Sequence, residues 1–313
     1  MLKRYLPIVV ALLVVVSMGY WVVTQKANRR LKKPQARETA SVVTRIEPMK
    51  PCGRLPAFLQ TLHITQPVMI DLSQQHFKGV ALLSGKGLRK VLHPKQWEQF
   101  AYLGTYVLDP KGNIYLTPMP FISIEPTTFN LQTNIYRLDT QTGKLSLWMH
   151  LDDVKPSSNN PYGVMAIAYD CADGTLWVSA IDESGYQSQK GVIYHIDPRT
   201  KRVLNRIEGF DALSLAMAKG EKGERVLLAG SAMENTLYAF TLHDQKVLKR
   251  DKIYTLPDPQ ERIRKIRIKA KNFLEIETVL FSYTLIARSE KLNRKIYKLE
   301  WNPKKQSWES LLQ

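Results

Sequence analysis

Apolar and polar positions alternate with a period of two along much of the chain, in short runs broken by polar turns. The stretch "GVIYHIDPRTKRVL", Gly191 to Leu204, is two such runs around an Asp-Pro-Arg-Thr turn. It recurs as "NIYRLDTQTGKLSL" (134–147), "TLYAFTLHDQKVL" (236–248) and "KIYKLEWNPKKQSW" (295–308). Each copy has an aliphatic residue, a tyrosine, an alternating strand, a turn and a second strand. The tyrosines Tyr136, Tyr194, Tyr238 and Tyr297 stand 58, 44 and 59 residues apart. A second hairpin precedes three of these copies: "YVLDPKGNIYLT" (106–117), "AIAYDCADGTLWVS" (166–179) and "LAMAKGEKGERVLLAG" (215–230). Alternation bounded by Asp, Lys and Gly turns reads as antiparallel β-hairpins.

Two hairpins in tandem make a unit of four short strands, and a tandem of such units is the pattern of a β-propeller. The chain divides into units at roughly 55–92, 100–151, 163–208, 212–255 and 262–312. The first is the weakest, with "KGVALLSGKGLRKVL" as its clearest hairpin. The expectation is an all-β propeller of five or six four-stranded blades, the sixth being an irregular blade inside the first segment. The start of the domain is expected to add a strand to the last blade and close the ring, which removes exposed sheet edges. A β-sandwich does not explain why hairpin pairs recur in tandem.

Before the repeats the pattern changes. "LPIVVALLVVVSMGYWVV", Leu6 to Val23, carries no charge and is long enough to span a bilayer as a helix. Tyr20 and Trp21 sit where aromatic rings favour the headgroup level. Residues 1–23 therefore read as a transmembrane signal anchor with the propeller outside the cytoplasm, periplasmic or extracellular. A cleaved signal peptide, with Ser17-Met18-Gly19 as the small-residue site, is one alternative. The reverse topology is another, because Lys26, Arg29, Arg30, Lys32, Lys33 and Arg37 follow the segment. Residues 24–51 read as a basic, extended tether broken by Pro34, Pro48 and Pro51, and residues 52–313 as the propeller domain.

Charge sharpens this division. The formal net charge of the 313-residue chain is +17, and residues 1–50 hold ten basic against two acidic side chains. A basic domain on a basic tether favours anionic partners such as phospholipid. Nucleic acid is disfavoured by the export reading and by the lack of aromatic residues interleaved with the basic ones. The two cysteines, Cys52 and Cys171, lack metal-ligand spacing. They make one disulfide if the domain is exported, or remain two free thiols. No P-loop, GxSxG, HExxH, EF-hand or dinucleotide fingerprint occurs. The six histidines are scattered, and His195, within a strand beside Tyr194, reads as structural.

The turns "DPKGNIYLT" and "DCADGTLWVS" resemble those of the six-bladed propeller superfamily that includes NHL-repeat proteins and the senescence marker protein/gluconolactonase group. The likeness covers residues 100–255 best and speaks for fold far more than for function. It implies metal ligands at the starts of inner strands: an Asn, an Asn-Gly, an Asp-Gly and an early Glu. Asp211 matches the Asp position, Tyr162-Gly163 stands where Asn-Gly would be, "FAYLGTYVLD" has no Asn, and Asp71 is the nearest early acidic residue.

The turns within hairpins are tight and the connections between hairpins long, so a site is expected on the long-loop face. Its candidate ligand-binding residues are Glu125, Asn160, Tyr162, Asp182, Glu183, Asp211, Glu234 and Asn235. In "RIRKIRIKAK", Lys265, Arg267, Lys269 and Lys271 would form an anion-binding stripe along one face of the last unit's first strand. Two functions follow. One is a membrane-anchored, non-catalytic binding or scaffolding module, with no cofactor, that engages a protein or an anionic envelope component. The other is a gluconolactonase-like hydrolase of the envelope that uses calcium or another divalent cation as Lewis acid. The mismatches in the ligand pattern favour the first.

Overall fold

The computed structural model describes residues 45–64, 66–72, 77–100, 102–120, 129–284 and 294–311. The proposed anchor at 1–23 and the tether up to residue 44 lie outside them. Among the described residues no helix is long and apolar enough to cross a membrane.

Five antiparallel sheets follow one another along the chain as the blades of a propeller. Strand β1 is Ile46–Pro48. Blade one has β2 (Val68–Asp71), β3 (Ala81–Ser84) and β4 (Lys90–Leu92). Blade two has β5 (Leu103–Leu108), β6 (Ile114–Pro118), β7 (Asn134–Leu138) and β8 (Leu145–His150). Blade three has β9 (Val164–Asp170), β10 (Thr175–Ala180), β11 (Val192–Asp197) and β12 (Arg202–Glu208). Blade four has β13 (Ala212–Gly220), β14 (Arg225–Ser231), β15 (Thr236–His243) and β16 (Lys246–Thr255). Blade five has β17 (Glu261–Ala270), β18 (Phe273–Leu280), β19 (Ile296–Asn302) and β20 (Ser307–Ser310). Gly191–Leu204 is thus the outer hairpin of blade three, and its repeated tyrosine sits on the third strand of blades two to five.

The aspartates of the repeat are turn caps. Asp109 accepts the backbone N–H groups of Lys111 and Asn113, Asp139 those of Gln141 and Thr142, Asp170 that of Ala172, and Asp197 that of Arg199. A carboxylate two residues before the N–H it accepts fixes the turn locally, and the motif recurs at the hairpin turns of blades two and three.

Apolar cores lie between successive blades. Leu82, Ile114 and Tyr136 belong to the core between one and two, Tyr115, Trp148 and Val178 to that between two and three. Trp177, Phe210 and Phe240 lie between three and four, and Leu228, Ile263 and Ile276 between four and five. Each inner strand from β5 to β17 carries a β-bulge near its start. A hydroxyl beside the bulge then bonds to the next blade. Thr117 Oγ1 donates to the Met165 carbonyl, Ser179 Oγ to that of Ala212, and Ser214 Oγ to that of Ile263.

The structure corrects three expectations. The five blades agree with the expected five or six, but blade one has three strands, not four. The domain's first strand joins blade four rather than the last blade: Ile46, Glu47 and Pro48 pair with Gly220, Lys219 and Ala218 of β13. The reason is burial. Ile46 is fully enclosed in the core between blades four and five, and its backbone exchanges hydrogen bonds with Asn272 in the first turn of blade five. Finally, no core among the described residues joins blade five to blade one. The far face of blade one shows the apolar row Met69–Leu83–Val91, with Met69 and Val91 exposed.

Residues 45–64 form a strap across the hairpin-turn face. From β1 the strap passes Cys52, which is disulfide-bonded to Cys171 in the first turn of blade three. Arg54 N–H then donates to the Asp109 carbonyl, Ala57 N–H to Thr140 Oγ1 and Phe58 N–H to the Thr140 carbonyl, all in blade two. A one-turn helix, Phe58–Thr61, ends the strap and buries Phe58 and Leu59 in the core between blades one and two.

Candidate functional site

The long connections emerge opposite the strap, at the ends where the inner strands begin. Loops 151–163, 181–191 and 281–284 meet there over the floor formed by Met165, Ile181, Leu213 and Ala232. Asn160 is buried; its Nδ2 donates to the Ile181 and Ser184 carbonyls at 2.6 and 2.9 Å. Its Oδ1 accepts from Tyr162 N–H. Ser184 Oγ donates to Asp211 Oδ1 at 2.8 Å, and Gly191 N–H donates to the same oxygen at 2.7 Å. A Cβ on residue 191 would collide with that oxygen, so only glycine lets the backbone come so close. Tyr283 OH donates to Asp211 Oδ2. Asp211 is therefore a fully enclosed knot that ties loops of blades three and five to the first strand of blade four.

Above this knot is an aromatic cup. Tyr162 and Phe281 lie 5.2 Å apart between ring centroids, Phe281 and Tyr283 meet edge-on at 5.2 Å, and Tyr186 and Tyr283 edge-on at 5.5 Å. Tyr186 is 63% exposed, and its hydroxyl donates to Ser282 Oγ. Burial pushes the Tyr162 phenol up to about 12, with Arg264 acting against the shift. Burial and then the Asp211 charge push Tyr283 up as well. Both are neutral donors at any physiological pH. Burial also raises Asp211, against its three hydrogen bonds.

Not all predicted site residues meet here. Asn160, Tyr162 and Asp211 belong to the cup and its support. Asp182, half-buried with its pKa raised by burial, accepts Lys155 N–H at 2.7 Å and joins loops 151–163 and 181–191. Glu183 has left-handed backbone and faces Lys190 at 3.7 Å. Glu234 and Asn235 are loop staples of blade four: Glu234 accepts from Tyr238 OH and Lys252 Nζ, and Asn235 Nδ2 donates to the Leu256 and Asp258 carbonyls. Glu125 lies outside the described residues. Among the described residues no three His, Cys, Asp or Glu side chains converge as a metal ion would require.

The basic stripe is largely matched by its own blade. Arg267 pairs with Glu275 at 2.9 Å and Glu277 at 3.2 Å across β18, Lys269 with Glu275, and Lys271 with Glu47 of β1. Lys265, exposed, faces Glu277 across the strand pair but makes no ion pair within 4 Å among the described residues. The face of blade five turned away from blade four is thus finished by ion pairs, whose polarity explains how a first strand so rich in Lys and Arg can be accommodated.

Sequence reasoning missed Ser184, Phe281, Tyr283, Arg262 and Arg264. Arg262 spends its guanidinium on the carbonyls of Ala232, Met233, Pro259 and Glu261. Arg264 had one readable signal: it is the bulge residue of β17, in the slot that blades three and four fill with Met165 and Leu213.

No protein-family model and no curated protein sequence matches the chain. Solved structures do resemble it. A luciferin-regenerating enzyme matches with TM-score 0.43 and 13% identity over 75% of this chain and 78% of its own. A glucose dehydrogenase matches with TM-score 0.39 and 17% identity over 67% and 72%. The N-terminal domain of Nup159 matches with TM-score 0.38 and 12% identity over 87% and 68%. These are likenesses of fold at the level expected from the turn motifs, and they assign no activity.

Proposed function

We propose that this chain is a membrane-anchored, exported propeller that acts as a non-catalytic binding module, presenting its long-loop face to a protein or anionic envelope component. One observation carries the choice over a metal-dependent hydrolase. Asp211, the residue best matched to a metal-ligand pattern, has its two oxygens engaged by three protein donors, while an aromatic cluster whose outermost ring, Tyr186, is exposed lies above it. Exposed aromatics held by a rigid scaffold suit recognition. The disulfide between Cys52 and Cys171 fits an oxidising compartment, and so supports export. The apolar run Leu6–Val23 would supply the anchor.

The test is site-specific photocrosslinking in cells, with the crosslinker in the full-length protein at Tyr186 on the loop face or at Lys305 on the opposite, turn face. A discrete adduct from position 186 and none from 305 is the expected result. Equal or absent labelling at the two positions removes the loop face as the binding surface. Chelator-sensitive lactone turnover, abolished by Asp211→Ala, would replace this reading with the hydrolase.

A further inference from the structure

Along the propeller shaft, the bulge at the start of each inner strand leaves one residue unpaired and aimed away from the ladder. In β9 it is Met165 and in β13 Leu213, both in the apolar floor of the cup. In β17 it is Arg264. Its guanidinium crosses from blade five: Nη1 donates to the Leu213 carbonyl of blade four at 3.2 Å, and Nη2 would lie 3.5 Å from a Cβ on Gly104 of blade two. Gly104 lies within the bulge of β5, so the residue facing the arginine has no side chain.

This cation makes no ion pair with a carboxylate among the described residues, although the Glu277 charge acts on it from farther off. Its one hydrogen bond goes to a neutral carbonyl, and its surroundings hold its pKa below the usual value, burial first and the Arg294 charge second. A charge in such surroundings is costly unless something opposite in sign compensates it. The nearby Tyr162 hydroxyl also has no hydrogen-bond partner among the described residues. A planar fork of N–H donors near a phenol O–H whose ring packs on Phe281 matches an oxyanion attached to a flat apolar body.

We propose that the loop-side mouth of the shaft binds a small organic carboxylate, with its carboxylate on Arg264 and Tyr162 and its apolar body against the aromatic cup. This site is separate from the basic stripe on the outer face of blade five; it shares the aromatic cup with the loop-face reading above, but its test reads small-molecule binding and so fails separately from the crosslinking test.

The test is titration of the full-length protein in detergent, followed by thermal unfolding and calorimetry, with benzoate, acetate and inorganic phosphate as probes. Benzoate is expected to bind saturably and more tightly than acetate or phosphate. Arg264→Met places in β17 the side chain that β9 already carries, so the fold is expected to persist. Loss of charge-assisted bonds should weaken benzoate by about 10- to 100-fold. Arg264→Lys keeps the charge without the fork and should fall between, and Tyr162→Phe should weaken binding several-fold; these two carry the test if the Met variant does not fold. Without ligand, Arg264→Met should unfold at the same or a higher temperature than wild type. Absence of any probe binding to wild type overturns the proposal. So does undiminished benzoate binding by Arg264→Met, or by both Arg264→Lys and Tyr162→Phe should the Met variant not fold. Equal binding of all three probes rejects the organic carboxylate and leaves only a general anion.

Discussion

Replacing Cys52 and Cys171 by serine tests how far the strap secures the propeller. The bridge spans 119 residues of sequence, a loop that contains all of blades one and two and the first strand of blade three. If the bond acts by restricting the unfolded chain, a loop of that length corresponds to about 5 kcal/mol. The folded strap keeps its other attachments: β1 remains paired with β13, and Arg54, Ala57 and Phe58 still donate to Asp109 and Thr140. The double serine variant should therefore fold to the same structure and lose most of that stability. A loss of this size is a large fraction of the net stability of an ordinary domain. The assay is urea unfolding of the full-length protein in detergent, wild type with and without reductant beside the double variant. Reduced wild type and variant should agree, with midpoints well below that of oxidised wild type. A difference under about 1 kcal/mol would refute the loop-closure reasoning. It would mean that the hydrogen-bonded strap already constrains the chain, or that the unfolded state stays compact.

Asp211→Ala would leave the Ser184, Gly191 and Tyr283 donors without an acceptor, at about 3–5 kcal/mol in total for buried groups; Asp211→Asn, which keeps one acceptor and relieves the buried charge, should cost much less, and equal midpoints for the two in denaturant titration would contradict the knot. His195 stacks on Trp177 and bonds Thr175 Oγ1 through Nε2, and burial holds its pKa below the ordinary 6.5. The folded state therefore binds fewer protons than the unfolded chain as pH falls below about 6.5, so stability should decline there; His195→Phe should flatten that part of the pH profile of the melting temperature. The Glu234 carboxylate is held below its ordinary value first by the Lys252 and then by the Tyr238 hydrogen bond, so its contribution is present at neutral pH and is lost as the pH falls through the depressed value. Because the pair is partly exposed, Glu234→Gln should cost less than about 1 kcal/mol at pH 7 and nothing at strongly acid pH.

The sequence by itself determined the blades. Period-two alternation, the aspartate that opens the turns of blades two and three and the tyrosine on the third strand of blades two to five are local properties, readable within a dozen residues. They placed blades two to five within three residues of their observed limits. Blade one was least legible because its three strands are short and lack the repeated tyrosine. Tertiary structure decided everything that joins distant segments. Ile46 meets Asn272, Cys52 meets Cys171, and Tyr283 reaches Asp211 across 72 residues. No local pattern encodes these partners, because they depend on how the blades stack around the shaft. The same holds for the candidate site. Asn160, Tyr162 and Asp211 were legible as loop residues at strand starts. Whether each oxygen faced a ligand or a neighbouring loop depended on loops that only packing brings together. Arg264 shows the difference most sharply. In the sequence it is one basic residue among several in "RIRKIRIKAK". A bulge sends it into the shaft, while Arg267, Lys269 and Lys271 meet carboxylates on the opposite face or at the strap.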